Sequence, residues 1–190
     1  MDDVKHAIPI LVAGILSTVV ATAPGARADD TSPLYRLVDT AAQRLATADA
    51  VAASKWIDGG PITDPQRANQ VLDNVGADAT ARGVDPAFVR KIFANQIDAT
   101  EGIEYARFGQ WKLDPAAAPT AAPDLTASRA AIDGYNREMV NEIALHRDSF
   151  TATDCPVVLD SAIATVTAER SLDPLYHQAL AFATHSYCGS

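Results

Sequence analysis

The residues of this chain best suited to chemistry are cations and carboxylates set at helical spacing. Arg44 and Lys55 stand eleven positions apart. At about 100° per residue that is three turns plus roughly 20°, so one unbroken helix would project both from the same side. Thr100 and Glu104 lie four apart in Ile97-Asp98-Ala99-Thr100-Glu101-Gly102-Ile103-Glu104-Tyr105. The apolar residues of that stretch keep helical spacing, so a hydroxyl and a carboxylate point where a core face belongs. Arg67 follows Asp64 within a first helical turn. Taken singly, each reads as ordinary: a long cation on an apolar face extends its head to water, a helical threonine bonds back to its own backbone, and Asp64-Pro65 opens a solvated helix. Several cations and one carboxylate at inward positions together suggest a polar pocket inside a helical bundle, suited to a small dianion.

Other chemistries find no support. There is no His-Glu-x-x-His zinc motif, no Gly-rich phosphate loop ending in Gly-Lys, no Gly-x-Ser-x-Gly elbow, and no Glu-x-x-His pair of the di-iron bundles. The expectation is therefore no metal and no cofactor. His6, His146, His177 and His185 are scattered without a partner motif, and the last three are expected at the surface. A formal charge of -9 argues against a nucleic-acid partner, because phosphate binding needs a basic face.

Positioning these groups falls to helices. Alanine is abundant, β-branched runs are short, and 3.6-residue periodicity recurs, so the chain is expected to be all-α, a single-domain bundle of about six helices. The first is expected from Ser32 to Trp56, with Leu34, Leu37, Val38, Ala41, Leu45 and Trp56 inward, ending before Gly59-Gly60-Pro61. Thr63 or Asp64 caps the second, which fades near Arg82-Gly83. Asp85-Pro86 starts the third, running to about Phe108 with Phe88, Val89, Ile92, Phe93, Gln96, Ile97, Thr100, Ile103 and Glu104 along one side. From Leu113 to Asp124 the Pro/Ala-rich sequence predicts an extended surface linker. Helices over 126–150, 154–169 and 172–187 complete the set.

The first residues carry an apolar run from Ile8 to Ala21, then Ala26-Arg27-Ala28, which has the form of a signal-peptidase site. Residues 1–28 are read as a signal peptide and 29–190 as the mature domain. Pro9, Pro24 and the short apolar core argue against a membrane span, so no membrane association is expected after cleavage near Ala28. The n-region is only weakly basic, with Asp2, Asp3 and a single Lys5. Cleavage removes two acids and two bases and leaves the charge at -9. In a secreted or periplasmic chain Cys155 and Cys188 are expected to be joined, a loop closure of about 3–4 kcal/mol. Two isolated cysteines lack the ligand spacing of zinc.

Together these stretches resemble one family. "AAQRL" with Arg44, "SKW" with Lys55, "DPQR" with Asp64 and Arg67, "ATEGIEY" with Thr100, Glu101 and Glu104, "DLTASRAAID" with Arg129, and the cysteine pair are similar to the exported all-helical chorismate mutases. The most specific stretch is "ATEGIEYARFGQWKLDPAAAP", where helix, aromatic run and Pro-rich exit agree. The resemblance implies that Arg44, Arg67 and Arg129 hold the two carboxylates of chorismate. It implies further that Lys55 and Glu104 meet the ether oxygen of the breaking C–O bond, while Asp64, Thr100 and Glu101 line the pocket. A glutamine that can occur four residues after the second-helix arginine is Val71 here, with Gln70 beside it; both are carried as substrate-binding candidates. The resemblance also implies a homodimer. Shorter cytoplasmic members borrow an arginine from a second subunit, whereas Arg129 lets each site of this chain form within one subunit. The alternatives are an exported, non-catalytic receptor for a dianionic metabolite, and a purely structural bundle.

Overall fold

Three of the helices begin with the same two-residue signal. Asp64-Pro65, Asp85-Pro86 and Asp173-Pro174 each place proline where its missing N–H costs nothing, while the aspartate accepts a backbone N–H of the first turn, from Arg67, Ala87 and Tyr176 respectively. The computed structural model describes residues 32–189, so the segment read as a signal peptide lies outside the described residues. Among those residues the secondary structure is wholly helical: α1 (Tyr35–Leu45), α2 (Ala48–Asp58), α3 (Pro65–Ala81), α4 (Pro86–Leu113), α5 (Leu125–Leu145), α6 (Cys155–Glu169) and α7 (Pro174–Thr184).

The all-α bundle of about six helices is thus observed, with the first expected helix in two segments. The break at Ala46-Thr47 has a local cause: the Thr47 hydroxyl donates to the Arg44 carbonyl at 2.7 Å, and the Thr47 N–H donates to the same oxygen at 3.2 Å. This tightens the turn and bends the chain without ending it. After α2, Gly59 takes the left-handed conformation (φ 74°) that a β-carbon would oppose, and its N–H closes on the Lys55 carbonyl.

The 28-residue α4 is the spine, about 42 Å long at 1.5 Å per residue. It packs against α2, α3 and α7, while α1 packs on α5, α6 and α7. The core is the meeting of Leu34, Leu37, Val38 and Leu45 with Val89, Ile92, Phe93 and Ile103 of α4, Met139, Val140 and Ile143 of α5, and Leu180 of α7. Each such side chain contributes about 1.5–3 kcal/mol through removal from water. Four expectations shift. Trp56 is only half-buried, edge-on to Phe108 and Trp111, because α4 continues one further turn beyond Phe108 and carries an aromatic cluster with it. The helix expected to reach Phe150 stops at Leu145, and Arg147–Phe150 form a separate 3₁₀ turn. The linker stays on the surface but begins with a 3₁₀ turn at Pro115–Ala117. Finally, Cys155 and Cys188 are joined. Their places at the start of one of the last two expected helices and the end of the other suggest an antiparallel hairpin closed by the bond. Instead α6 lies mainly on α1 and α7 mainly on α4, so the disulfide ties two helices that have little contact with each other. His177 and His185 are exposed, while His146 is half-buried, 3.7 Å from Glu142. No helix among the described residues is long and apolar enough to cross a membrane.

Candidate active site

Five helices converge on one cleft, open to solvent, with a cavity of about 110 Å³. Arg44 enters from α1, Lys55 from α2, Asp64, Arg67 and Val71 from α3, Thr100, Glu101 and Glu104 from α4, and Arg129 from α5. All the candidate residues except Gln70 line this cleft. Gln70 faces a neighbouring surface depression and accepts a hydrogen bond from Arg67 at 3.0 Å, whereas Val71, one residue on, turns its buried side chain into the cleft.

Arg44 is 4% exposed and forms no ion pair among the described residues. Its Nε donates to Asn136 Oδ1 at 2.8 Å, and Nη1 donates to Thr100 Oγ1 at 3.2 Å and the Gln96 carbonyl at 3.4 Å. Every one of these acceptors is neutral. Burial, the largest influence, lowers its pKa to about 10, while the charges of Arg67 and Asp133 reach it with opposite signs, so the guanidinium stays protonated at neutral pH with no carboxylate bonded to it. Thr100 donates in turn to the Gln96 carbonyl at 2.7 Å, the helical back-bond expected for it.

The same cleft holds an ion pair that is buried at its carboxylate end. Lys55 Nζ donates to Glu104 Oε2 at 2.7 Å and to the Ile62 carbonyl at 2.8 Å, with Glu104 only 2% exposed. Burial pushes the Glu104 carboxyl above its ordinary value, and the hydrogen bond and charge of Lys55 offset this only in part. At the rim, Arg67 is held by Asp133 at 3.0 Å, Asp64 accepts the Arg67 backbone N–H at 3.0 Å, and Glu101 accepts from the Thr63 hydroxyl at 2.8 Å. Arg129 is exposed at the mouth. The walls between these groups are apolar: Val51, Ile62, Ala68, Ile97, Leu125 and Ile132.

Sequence reading did not single out Ile62, Asp133 or Asn136. Asp133 and Asn136 were within reach as polar residues on the helical face that follows Arg129, but the Ile62 carbonyl carries no side-chain signal.

Fold and cleft define an all-helical site in which three arginines, a lysine and a buried carboxyl stand among apolar walls. The family model for chorismate mutase type II matches residues 35–105, from the start of α1 to beyond Glu104. A relative from Mycolicibacterium smegmatis named "Secreted chorismate mutase" is 55% identical over 165 residues, covering 87% of this chain and 91% of its own. Another of the same name, from Mycobacterium tuberculosis, is 49% identical over 177 residues, with 92% and 89% covered. The crystal structure of chorismate mutase from Burkholderia thailandensis superposes with a TM-score of 0.78 at 36% identity, over 82% of this chain and 99% of that one. The chain belongs to the chorismate mutase family. It is an isomerase whose substrate is chorismate, and the secreted relatives agree with the export expected for it.

Proposed function

We propose that the cleft converts chorismate to prephenate by holding the reactive conformer and stabilising charge on the ether oxygen, with no covalent intermediate. The rearrangement is concerted: one C–O bond breaks as one C–C bond forms, and no protein atom attacks. Rate must then come from orientation and from donors aimed at developing charge. Arg44, Arg67 and Arg129 take the two carboxylates, for which the planar guanidinium is suited because it can make paired hydrogen bonds. Lys55 and a protonated Glu104 meet the ether oxygen, lysine acting as a compact point charge. Asp64, Thr100 and Glu101 shape the pocket around them. Each site is completed within one subunit of a homodimer, and residues 29–190 act after removal of the leader.

The observation that carries this reading is the Lys55–Glu104 pair, buried at its carboxylate end, in the same cleft as an Arg44 whose bonded acceptors are all neutral. A receptor for a dianion would use the arginines, but it has no need of a buried, pKa-raised carboxyl bonded to lysine. Purified mature protein incubated with chorismate should remove its absorbance, and Lys55→Ala should slow turnover by about 10²–10³, the scale for deleting one such donor. Binding of chorismate without turnover by the parent protein would favour the receptor instead.

A further inference from the structure

The acceptor on Arg44 Nε comes from far along the chain. Asn136, on α5, is 7% exposed and separated from Arg44 by 92 positions, yet its Oδ1 stands 2.8 Å from that nitrogen. The other two acceptors of Arg44, the Thr100 hydroxyl and the Gln96 carbonyl, are neutral as well. Tyr187, buried close by, is held in its neutral phenol form because burial pushes its pKa well above the ordinary value. One turn earlier on α5, Asp133 supplies a carboxylate to Arg67 at 3.0 Å, but that pair is partly open to water, the two side chains being 29% and 47% exposed. The same helix face therefore sets a charged acceptor on the partly exposed arginine and an uncharged one on the buried arginine.

We propose that Asn136 is a positioning residue that orients the Arg44 guanidinium through a neutral acceptor, so that no carboxylate is bonded to it until one from the substrate arrives. The proposal rests on the reading that Arg44 binds substrate. The physical requirement is narrow. An apolar side chain would leave a buried donor without a partner, which is costly. An aspartate would keep the bond and the shape, but it would form a buried ion pair in a medium where charges interact strongly, and substrate would have to compete with it. A neutral acceptor of this length meets both demands.

The test is steady-state kinetics and thermal melting of Asn136→Asp, Asn136→Ala and Arg44→Ala in the purified full-length mature protein. Because Arg44 would hold a carboxylate in both the ground and transition states, weakening it should raise KM more than it lowers kcat. Asn136→Asp is expected to melt close to the parent and to raise KM about tenfold or more, whereas Asn136→Ala raises it by less. A merely structural role predicts the reverse order, since aspartate preserves shape and bond while alanine loses both. Asn136→Asp with the parental KM, or alanine more damaging to KM than aspartate, overturns the proposal. Should the aspartate variant not fold, the alanine variant decides by KM, kcat and melting together: a raised KM with kcat and melting temperature near the parent supports the proposal, whereas a parental KM, or a KM that rises only alongside a lowered melting temperature, overturns it. Arg44→Ala separates the two layers. If it leaves kcat and KM unchanged, the substrate reading of Arg44 falls together with the proposal; if it is impaired while Asn136→Asp is parental, only the role of Asn136 falls.

Discussion

Glu104 is pulled in two directions. Burial favours its neutral form, while the Lys55 hydrogen bond at 2.7 Å and the lysine charge favour the anion; burial is the larger influence, and the nearby Glu101 reinforces it. An ionised carboxylate can only accept a hydrogen bond, so a Glu104 that stabilises negative charge on the ether oxygen must carry a proton in the working complex. Two substrate carboxylates offset the neighbouring cations and push the same way. Turnover should be full at pH below the raised Glu104 value and decline as pH climbs through it. Glu104→Gln, a permanent donor of similar shape, should flatten that decline and keep substantial activity, whereas Glu104→Ala should lose about 10²–10³ in turnover. The same shift links to stability. With the folded-state pKa raised, the native protein holds the proton more tightly than the unfolded chain, so stability falls as pH rises from the ordinary carboxylate range to the raised value. Melting curves of Glu104→Gln should lack this component. A glutamine variant with the parental pH profile, or one as inactive as alanine, would remove the carboxyl proton from the mechanism.

Among the elements, α3 shows how local chemistry serves the site. Asp64 caps the helix through the Arg67 N–H, so the group that starts α3 also fixes where the arginine emerges on the cleft rim. The bend between α1 and α2 lies between Arg44 and Lys55, yet both reach the cleft, because α1 leans on α5 while α2 leans on α4. The disulfide works elsewhere. It joins the start of α6 to the segment after α7, across a sequence separation of 33, and neither cysteine lines the cleft. Chain entropy assigns this closure about 3–4 kcal/mol, which for a protein of this size corresponds to a fall of roughly 10 °C in melting temperature on reduction. Activity at room temperature should be nearly unchanged by the reductant. Loss of activity in step with thiol release, well below the melting transition, would tie the bond to the site instead.

For the molecule as a whole, the telling feature is that α1 and α5 of one chain contribute Arg44 and Arg129 to a single cleft. On the proposed single-subunit site, a homodimer would be dispensable for site geometry. Mixing Arg44→Ala subunits with Arg129→Ala subunits should give no recovery of activity over either variant alone, even where light scattering shows subunit exchange. Recovery towards a fraction of the parental rate would mean that sites are shared between subunits.

What the sequence determined by itself was everything carried by short-range order. Periodicity showed the helices, Asp-Pro pairs marked the starts of α3 and α4, and the cations and carboxylate stood out because their types conflict with an apolar face. Beyond the cysteine pair and the meeting of Lys55 with Glu104 that the resemblance implied, the tertiary structure decided the long-range partners and their geometry. Asn136 reaches Arg44 across 92 positions, Asp133 reaches Arg67 across 66, and Lys55 reaches Glu104 across 49. These depend on how helices cross, which periodicity along one helix does not specify. The choice between Gln70 and Val71 has the same origin: adjacent residues differ by about 100° around a helix, so the orientation of α3 against its neighbours sends one into the cleft and the other away from it. The balance at Glu104 also waited for the fold, because its two opposed influences, depth of burial and proximity of Lys55, come into being only when α2 and α4 pack together.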